Sequence, residues 1–137
     1  NGIIPPGALV GRNIDPLFPE YEGTEMVAWA SNVTLVKGWF EDTLPRFLEN
    51  NPTEEIDFIH IDSDVYSAAR TVFNLLKDRI TPDTMIMFDE LLDYPKYRDH
   101  EIKAFAEFLL ETGYNYTCQV YQEGGEPSQV CVLIESE

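Results

Sequence analysis

Ile56-Asp57-Phe58-Ile59-His60-Ile61-Asp62-Ser63-Asp64 is the stretch that decides the fold. A mostly apolar, β-branched run ends in two carboxylates, and a helix-like segment follows at once. Near-continuous apolar character over so few residues predicts a strand buried on both faces, as in a parallel sheet. Carboxylates just past the carboxyl end of such a strand stand where open α/β sheets bind their ligands. A second run, Thr84-Met85-Ile86-Met87-Phe88, ends the same way in Asp89-Glu90. Asp62 and Asp89 are 27 residues apart, the length of one βαβ unit. Neighbouring strands run roughly 4.8 Å apart. Their ends therefore bring Asp62, Asp89 and Glu90 within reach of one cation, and these three are the candidate metal ligands.

Working outward, the same alternation of elements continues. Residues 1–31 hold Ile3-Ile4-Pro5-Pro6-Gly7, Asp15-Pro16 and Phe18-Pro19, which predict an irregular lead-in rather than a regular element. A short helix over Glu25 to Ser31 is a weak expectation within it. Asn32 to Lys37 reads as a strand stopped at Gly38. Asp42 or Thr43 then caps a short helix with Pro45 in its first turn. From Val65 to Arg79, Ala69, Val72, Phe73 and Leu76 recur at helical spacing. Thr81-Pro82-Asp83 turns the chain into the next strand. A further helix is expected from about Asp99 to Glu111, with Ile102, Phe105, Ala106 and Leu109 inward and Gly113 ending it. Tyr114 to Tyr121 and Gln129 to Ile134 flank Gly124-Gly125 and read as a hairpin. The order β-α-β-α-β-α-β-β over 32–137 predicts an α/β fold with a mostly parallel sheet closed by an antiparallel C-terminal hairpin.

Charge narrows the partners. The 137 residues hold 25 acidic and 9 basic side chains, for a net charge of -16. Phosphate recognition needs Lys/Arg clusters, and none occurs, so nucleic acid and anionic membrane are not expected partners. A small molecule, a cation or a protein is, and a homo-oligomer is compatible with the pattern. No apolar run is long enough to span a bilayer and no stretch has the make-up of a signal peptide. The Asn32-Val33-Thr34 and Asn115-Tyr116-Thr117 triplets match the glycosylation pattern without a secretory context. The expected location is cytoplasmic. Cys118 and Cys131, on opposite arms of the hairpin, are expected to face each other as two buried free thiols.

Several residues carry two readings. Asp64 either caps the helix that follows or belongs to the site. His60 points to the same sheet face as Asp62 and is expected as a hydrogen-bonded core histidine rather than a ligand. His100 stands at a helix start, expected to face solvent or anchor a loop, with a catalytic role as the other reading. Trp39 and Phe40 are either core or the stacking wall of a flat ligand.

Four motifs in order, Asn32-Val-Thr-Leu-Val-Lys-Gly-Trp-Phe-Glu-Asp-Thr-Leu-Pro45, Ile59-His-Ile-Asp-Ser-Asp-Val-Tyr-Ser67, Met87-Phe-Asp-Glu90 and His100-Glu-Ile-Lys-Ala-Phe105, resemble the macrocin O-methyltransferase family. The likeness runs from Asn32 to Leu110. It implies a Rossmann-like class I methyltransferase fold, S-adenosylmethionine as cofactor, and transfer of its methyl group to a hydroxyl of a sugar or another small polar acceptor. By the same resemblance, Gly38, Trp39, Phe40 and Glu41 would lie beside the cofactor's adenine, with Asp62 also at the cofactor. Asp62, Asp89 and Glu90 would hold Mg2+ or another divalent cation. Asp62, Asp64 and His100 are the catalytic candidates. A lysine used as base in the similar catechol O-methyltransferase would fall at Val65, and Glu90 stands where relatives have Asn or Asp. The glycine-rich cofactor loop of this fold has no counterpart here, and neither does its ribose-binding acid. The chain is therefore expected to be the C-terminal part of such an enzyme, lacking the N-terminal strands and inactive alone.

Two other classes remain open on sequence. Asp62-Ser63-Asp64 also resembles the Asp-x-Asp element of metal-dependent glycosyltransferases and of haloacid-dehalogenase-type phosphatases. Neither accounts for Gly38-Trp39-Phe40-Glu41 or for Asp89-Glu90 at this spacing. A truncated, non-catalytic assembly domain is the third.

Overall fold

The computed structural model describes residues 9–11, 34–121 and 128–137, and its contacts divide the chain into two units, Asn1–Pro52 and Thr53–Glu137. The helix expected over 25–31 and the Gly124-Gly125 turn lie outside the described residues.

In the first unit, strand β1 (Leu9–Gly11) pairs parallel with β2 (Leu35–Lys37), Val10 opposite Val36. The proline-rich lead-in thus contains a strand that its composition hides. Gly38 ends β2 at φ 146°, and a Cβ there would sit 2.7 Å from the Thr43 methyl. Helix α1 (Phe40–Asn50) begins earlier than Asp42. Trp39 is its extended N-cap residue, and its carbonyl accepts from the Asp42 and Thr43 amides at 3.1 and 3.0 Å and from Thr43 Oγ1 at 2.8 Å. No side-chain cap is made, so neither Asp42 nor Thr43 caps the helix. Pro45 falls inside it, beyond the first turn. Glu41 and Asp42 lie in that turn, where negative charge suits the helix dipole.

The second unit carries a four-stranded sheet in the order β3-β4-β6-β5, built from β3 (Ile56–Ile61), β4 (Ile80–Leu92), β5 (Asn115–Tyr121) and β6 (Ser128–Glu135). β3 and β4 are parallel; β6 runs antiparallel to both β4 and β5. Helix α2 (Tyr66–Leu76) and helix α3 (Glu101–Thr112), the latter preceded by a 3-10 turn at Tyr97–Asp99, supply the packing layer. Ala69, Val72, Phe73 and Leu76 bury one stripe of α2, as their spacing predicts. On α3 the buried stripe is Glu101, Ala104, Phe105 and Phe108, one position away from the expected face, and Gly113 ends the helix in the left-handed conformation.

Four aromatic rings make the centre of this core. Phe73 stacks on Phe108 at 4.9 Å between centroids, and Phe88 of β4 meets Phe105 at 5.1 Å. Phe73 and Phe88 are fully buried and Phe108 nearly so, and each contributes ~1.5–3 kcal/mol by leaving water. Outside the core, Tyr66 Oη donates to Glu107 at 2.8 Å, and Arg70 Nε lies 3.2 Å from the same carboxylate. These contacts fix the register of α2 on α3 more than they stabilise it.

β3 departs from the expected two-sided burial: Asp57 and His60 are exposed, and only Ile61 is fully covered. His60 is therefore not a core histidine. β4 is longer than its apolar run and includes Asp89 and Glu90. The Thr81-Pro82-Asp83 turn survives as a bulge inside it, since Ile80 pairs with Ile56 while Met85 pairs with Phe58. Thr84 Oγ1 closes that bulge, accepting from Thr81 N at 3.0 Å and donating to the Ile56 carbonyl at 2.6 Å. In the hairpin an irregularity between Cys118 and Val120 sets Cys118 opposite Val132 and Val120 opposite Cys131. The two cysteines are thus not cross-strand partners. Both are free, Cys118 exposed and Cys131 buried. Among the described residues no helix is long and apolar enough to cross a membrane.

Candidate active site

The site lies at the carboxyl ends of β3 and β4. Beyond Ile61 the chain leaves the sheet through Asp62, Ser63 and Asp64 before α2 begins. Asp64 is left-handed, at φ 60°, and the Val65 amide donates to the Ser63 carbonyl at 2.7 Å. A two-residue hydrogen bond around a positive-φ centre is the tight, costly γ-turn. Val65, not Asp64, is the N-cap residue of α2, and no side chain caps the helix. The capping reading of Asp64 is thereby removed.

A second irregularity re-aims the end of β4. Phe88 pairs with Val130 and Leu92 with Ser128, so β4 spends two more residues than β6 over that interval. Bulges of this kind redirect side chains. Asp89 accepts from Gln129 Nε2 at 2.5 Å and lies 3.5 Å from His60 Nε2. Glu90, its chain neighbour, has Asp64 as its strongest charged neighbour. Beyond them, left-handed Asp93 accepts from Tyr121 Oη at 2.8 Å and from Ser128 Oγ, tying the strand end to the hairpin.

Four carboxylates thus share one rim, and they repel. Partial burial pushes the Asp62 carboxyl up, helped by Asp89 and Asp64 and opposed by His60. Burial, then Asp64, Asp89 and Asp62, raise Glu90. Behind them sits a group that the sequence reading did not single out. Glu101 has no exposed surface. Its Oε1 accepts from Ser63 N at 3.0 Å and from Ser63 Oγ at 3.1 Å, and the Asp64 amide also donates to this carboxylate. Burial pushes its carboxyl up to about 7 against the pull of those hydrogen bonds. Tyr94 is pushed up to about 12, chiefly by burial and then by Glu101, Glu90 and Asp64. Tyr94 Oη, His100 Nδ1 and Glu101 Oε2 are buried without a hydrogen-bond partner among the described residues, and the Tyr94 and His100 rings lie 5.9 Å apart. His100 is thus half-buried against Tyr94, immediately before α3.

Asp62, Asp64, Asp89 and Glu90 are therefore brought to one strand-end rim, with His100 next to it. The metal expectation fares differently. Hard carboxylate oxygens suit Mg2+ or Ca2+, but among the described residues no group of three His, Cys, Asp or Glu side chains is gathered to hold an ion. Within the bulge Asp89 is engaged by Gln129 and His60, whereas Asp64 is the strongest charge acting on Glu90. As placed, Asp62, Asp89 and Glu90 do not form one seat. Gly38, Trp39, Phe40 and Glu41 belong to the first unit. There they open α1, with Trp39 47% exposed and Phe40 half-buried.

The fold is similar to that of CalS11, a TDP-rhamnose 3'-O-methyltransferase of calicheamicin biosynthesis, at 26% identity and a TM-score of 0.58 over 77% of this chain and 42% of that one. It is also similar to the O-methyltransferase NovP, at 15% identity and a TM-score of 0.59 over 86% of this chain and 43% of that one. A third likeness is to an O-methyltransferase from Bacillus cereus solved with S-adenosylhomocysteine, at 21% identity and a TM-score of 0.55 over 77% and 51%. The chain thus spans between 42% and 51% of the length of these structures. No curated protein matches it. The α/β architecture is the Rossmann-like one of these methyltransferases. A family model described as a methyltransferase domain matches residues 11–91, and with well over half of its length so matched the chain belongs to that methyltransferase-domain family.

Proposed function

We propose that the full-length protein transfers the methyl group of S-adenosylmethionine to a hydroxyl of a sugar or another small polar acceptor. The narrower likeness to macrocin O-methyltransferases belongs to this proposal. The observation that carries it is the placement of Asp62 and Asp64 just past β3, on the ligand-binding edge of an α/β sheet, in a chain of this family.

The exposed Trp39 indole at the start of α1 suits the flat adenine of the cofactor, with Gly38, Phe40 and Glu41 around it. When bound, S-adenosylmethionine supplies a methyl group on a positively charged sulfur. The rim residues then have two tasks: to hold the acceptor oxygen in line with that methyl carbon, and to take the hydroxyl proton as the new C–O bond forms. Asp64 is the proposed proton acceptor, because the γ-turn presents its carboxylate beyond β3 without a hydrogen bond among the described residues. Asp62, raised by burial and by its acidic neighbours, is matched to the same task. His100 is placed to orient the acceptor beside Tyr94. Since Asp89 and Glu90 diverge, no step here passes through a cation.

The test is calorimetry of the full-length protein with S-adenosylhomocysteine, followed by turnover with TDP-rhamnose, the sugar named for CalS11, as acceptor probe. Trp39→Ala is expected to weaken S-adenosylhomocysteine binding by about tenfold, the loss of one aromatic wall. Asp64→Asn should leave that affinity unchanged and slow turnover by about 10²-fold or more. Wild-type protein that does not bind S-adenosylhomocysteine rejects the reading.

A further inference from the structure

We infer that Glu101 is the positioning residue of the rim: its sealed carboxyl clamps the Ser63–Asp64 turn and thereby aims the Asp64 carboxylate at the acceptor. This rests on the proposed methyl transfer with Asp64 as proton acceptor.

Glu101 is out of place unless it serves something. It occupies the first position of the buried stripe whose other members are Ala104, Phe105 and Phe108. A carboxyl with no exposed surface is costly to bury, and an apolar residue would complete the stripe at lower cost. Its hydrogen bonds do not serve its own helix. They run 38 residues back along the chain, to Ser63 N at 3.0 Å and Ser63 Oγ at 3.1 Å, and to the Asp64 amide. Those donors belong to a segment of the rim in a strained conformation, with Asp64 at φ 60°. Backbone outliers of this kind persist only where surrounding contacts over-determine them. Helix α2 offers no such contact, because its N-cap residue, Val65, makes no side-chain cap. Glu101 therefore does from outside what an Asp64 cap would do from within. The difference is functional: a capping Asp64 would spend its carboxylate on the α2 amides, whereas the clamped turn leaves it at the rim.

The test uses the full-length protein with Glu101→Ala, the isosteric Glu101→Gln and Asp64→Asn, singly and combined. Hydrogen exchange at the 63–65 amides needs no turnover. Glu101→Ala should speed it by roughly 10²-fold, because the part-buried Ser63 donors and the Asp64 amide lose their acceptor. Glu101→Gln, which keeps one acceptor oxygen, should restore part of the protection. Exchange in the Phe73–Phe108 core and S-adenosylhomocysteine affinity should not change. With TDP-rhamnose, Glu101→Ala should lower kcat by roughly 10²-fold at a KM within a few-fold of wild type, as a misaimed group does. In the Asp64→Asn background it should cause no further loss. Unchanged exchange at 63–65 overturns the clamp. Additive losses in the double variant overturn action through Asp64 while leaving the methyl-transfer reading intact. A fully active Asp64→Asn protein fails the proton-acceptor reading itself. A wild type inert toward TDP-rhamnose rejects that acceptor, and exchange then decides the clamp.

Discussion

Replacing Glu101 by Gln should change how stability depends on pH, by an amount that follows from its burial. The ordinary value for this carboxyl is 4.5, and in the fold it stands at about 7. A raised acid is bound more tightly to its proton in the folded state than in the unfolded one. Its contribution to stability is therefore fully present below about 4.5 and lost as pH rises through about 7. At ~1.36 kcal/mol per pH unit, the interval corresponds to about 3 kcal/mol. Glutamine cannot ionise, so Glu101→Gln removes this dependence and keeps the shape. The difference between variant and wild type isolates Glu101 from Asp62 and Glu90, whose own shifts cancel. Urea unfolding of both proteins from about pH 4 to about pH 8.5 should show the variant gaining roughly 3 kcal/mol relative to wild type, mostly between about pH 5 and about pH 7.5. Carbon-detected NMR of the Glu101 carboxyl should place its titration near 7, and Asp64→Asn should move it down by removing a repelling charge. A difference that stays flat across this range, with the carboxyl titrating in the ordinary range, would refute the argument that a desolvated acid anchors the rim.

Three further outcomes can be measured. Phe73→Ala, at the centre of the ring cluster, should destabilise the second unit by ~3–5 kcal/mol in urea unfolding; a loss under ~1 kcal/mol would mean that the cluster is not the packing centre. Gly38→Ala meets both a positive φ and a 2.7 Å contact with the Thr43 methyl, so it should cost ~1–3 kcal/mol by the same measurement, and a neutral result would contradict the tight turn between β2 and α1. Thiol labelling of the folded protein should modify exposed Cys118 quickly and buried Cys131 only on unfolding; equal rates would place Cys131 at the surface.

Much of the fold is legible because hydrophobic period is a strong signal wherever an element has one buried face. Ala69, Val72, Phe73 and Leu76 announce α2, and Gly113 closes α3 as a left-handed glycine should. Legibility fails where the backbone departs from its period. Pro82 and Asp83 read as the end of a connection, yet they lie in a bulge that β4 absorbs, because Thr84 Oγ1 supplies the missing ladder contacts. Between Cys118 and Val120 the strand register shifts by one, and that shift cannot be seen in a sequence symmetric about Gly124-Gly125. β1 has only three residues and depends on pairing with β2 to exist. For the site, carboxylates at strand ends were legible as Asp62, Asp64 and Asp89. Glu101 was missed, although a signal existed: it precedes Ala104, Phe105 and Phe108 at i+3, i+4 and i+7, a charged residue on a core stripe.

The divergence of Asp89 and Glu90 has a consequence for where proton chemistry sits. Two backbone irregularities meet at this rim, the γ-turn after β3 and the bulge at the end of β4. Asp89 is taken up by Gln129 at 2.5 Å and by His60 at 3.5 Å, a neutral donor and a titratable one. Its negative charge is thus partly answered within the sheet. Glu90 and Tyr94 have no such answer: the charges that act on them are Asp62, Asp64, Asp89, Glu90 and Glu101, with no Lys or Arg among them. Like charges that lack a counter-ion hold protons more tightly, and the raised Glu90 carboxyl lies on this side of the rim. The chain retains its carboxylates there without a base from Lys or His in the Asp62–Asp64 turn, because Val65 fills the next position. In the proposed methyl transfer the acceptor's proton therefore goes to the Asp64 side of the rim, while Asp89 and His60 hold the opposite edge of the same strand ends.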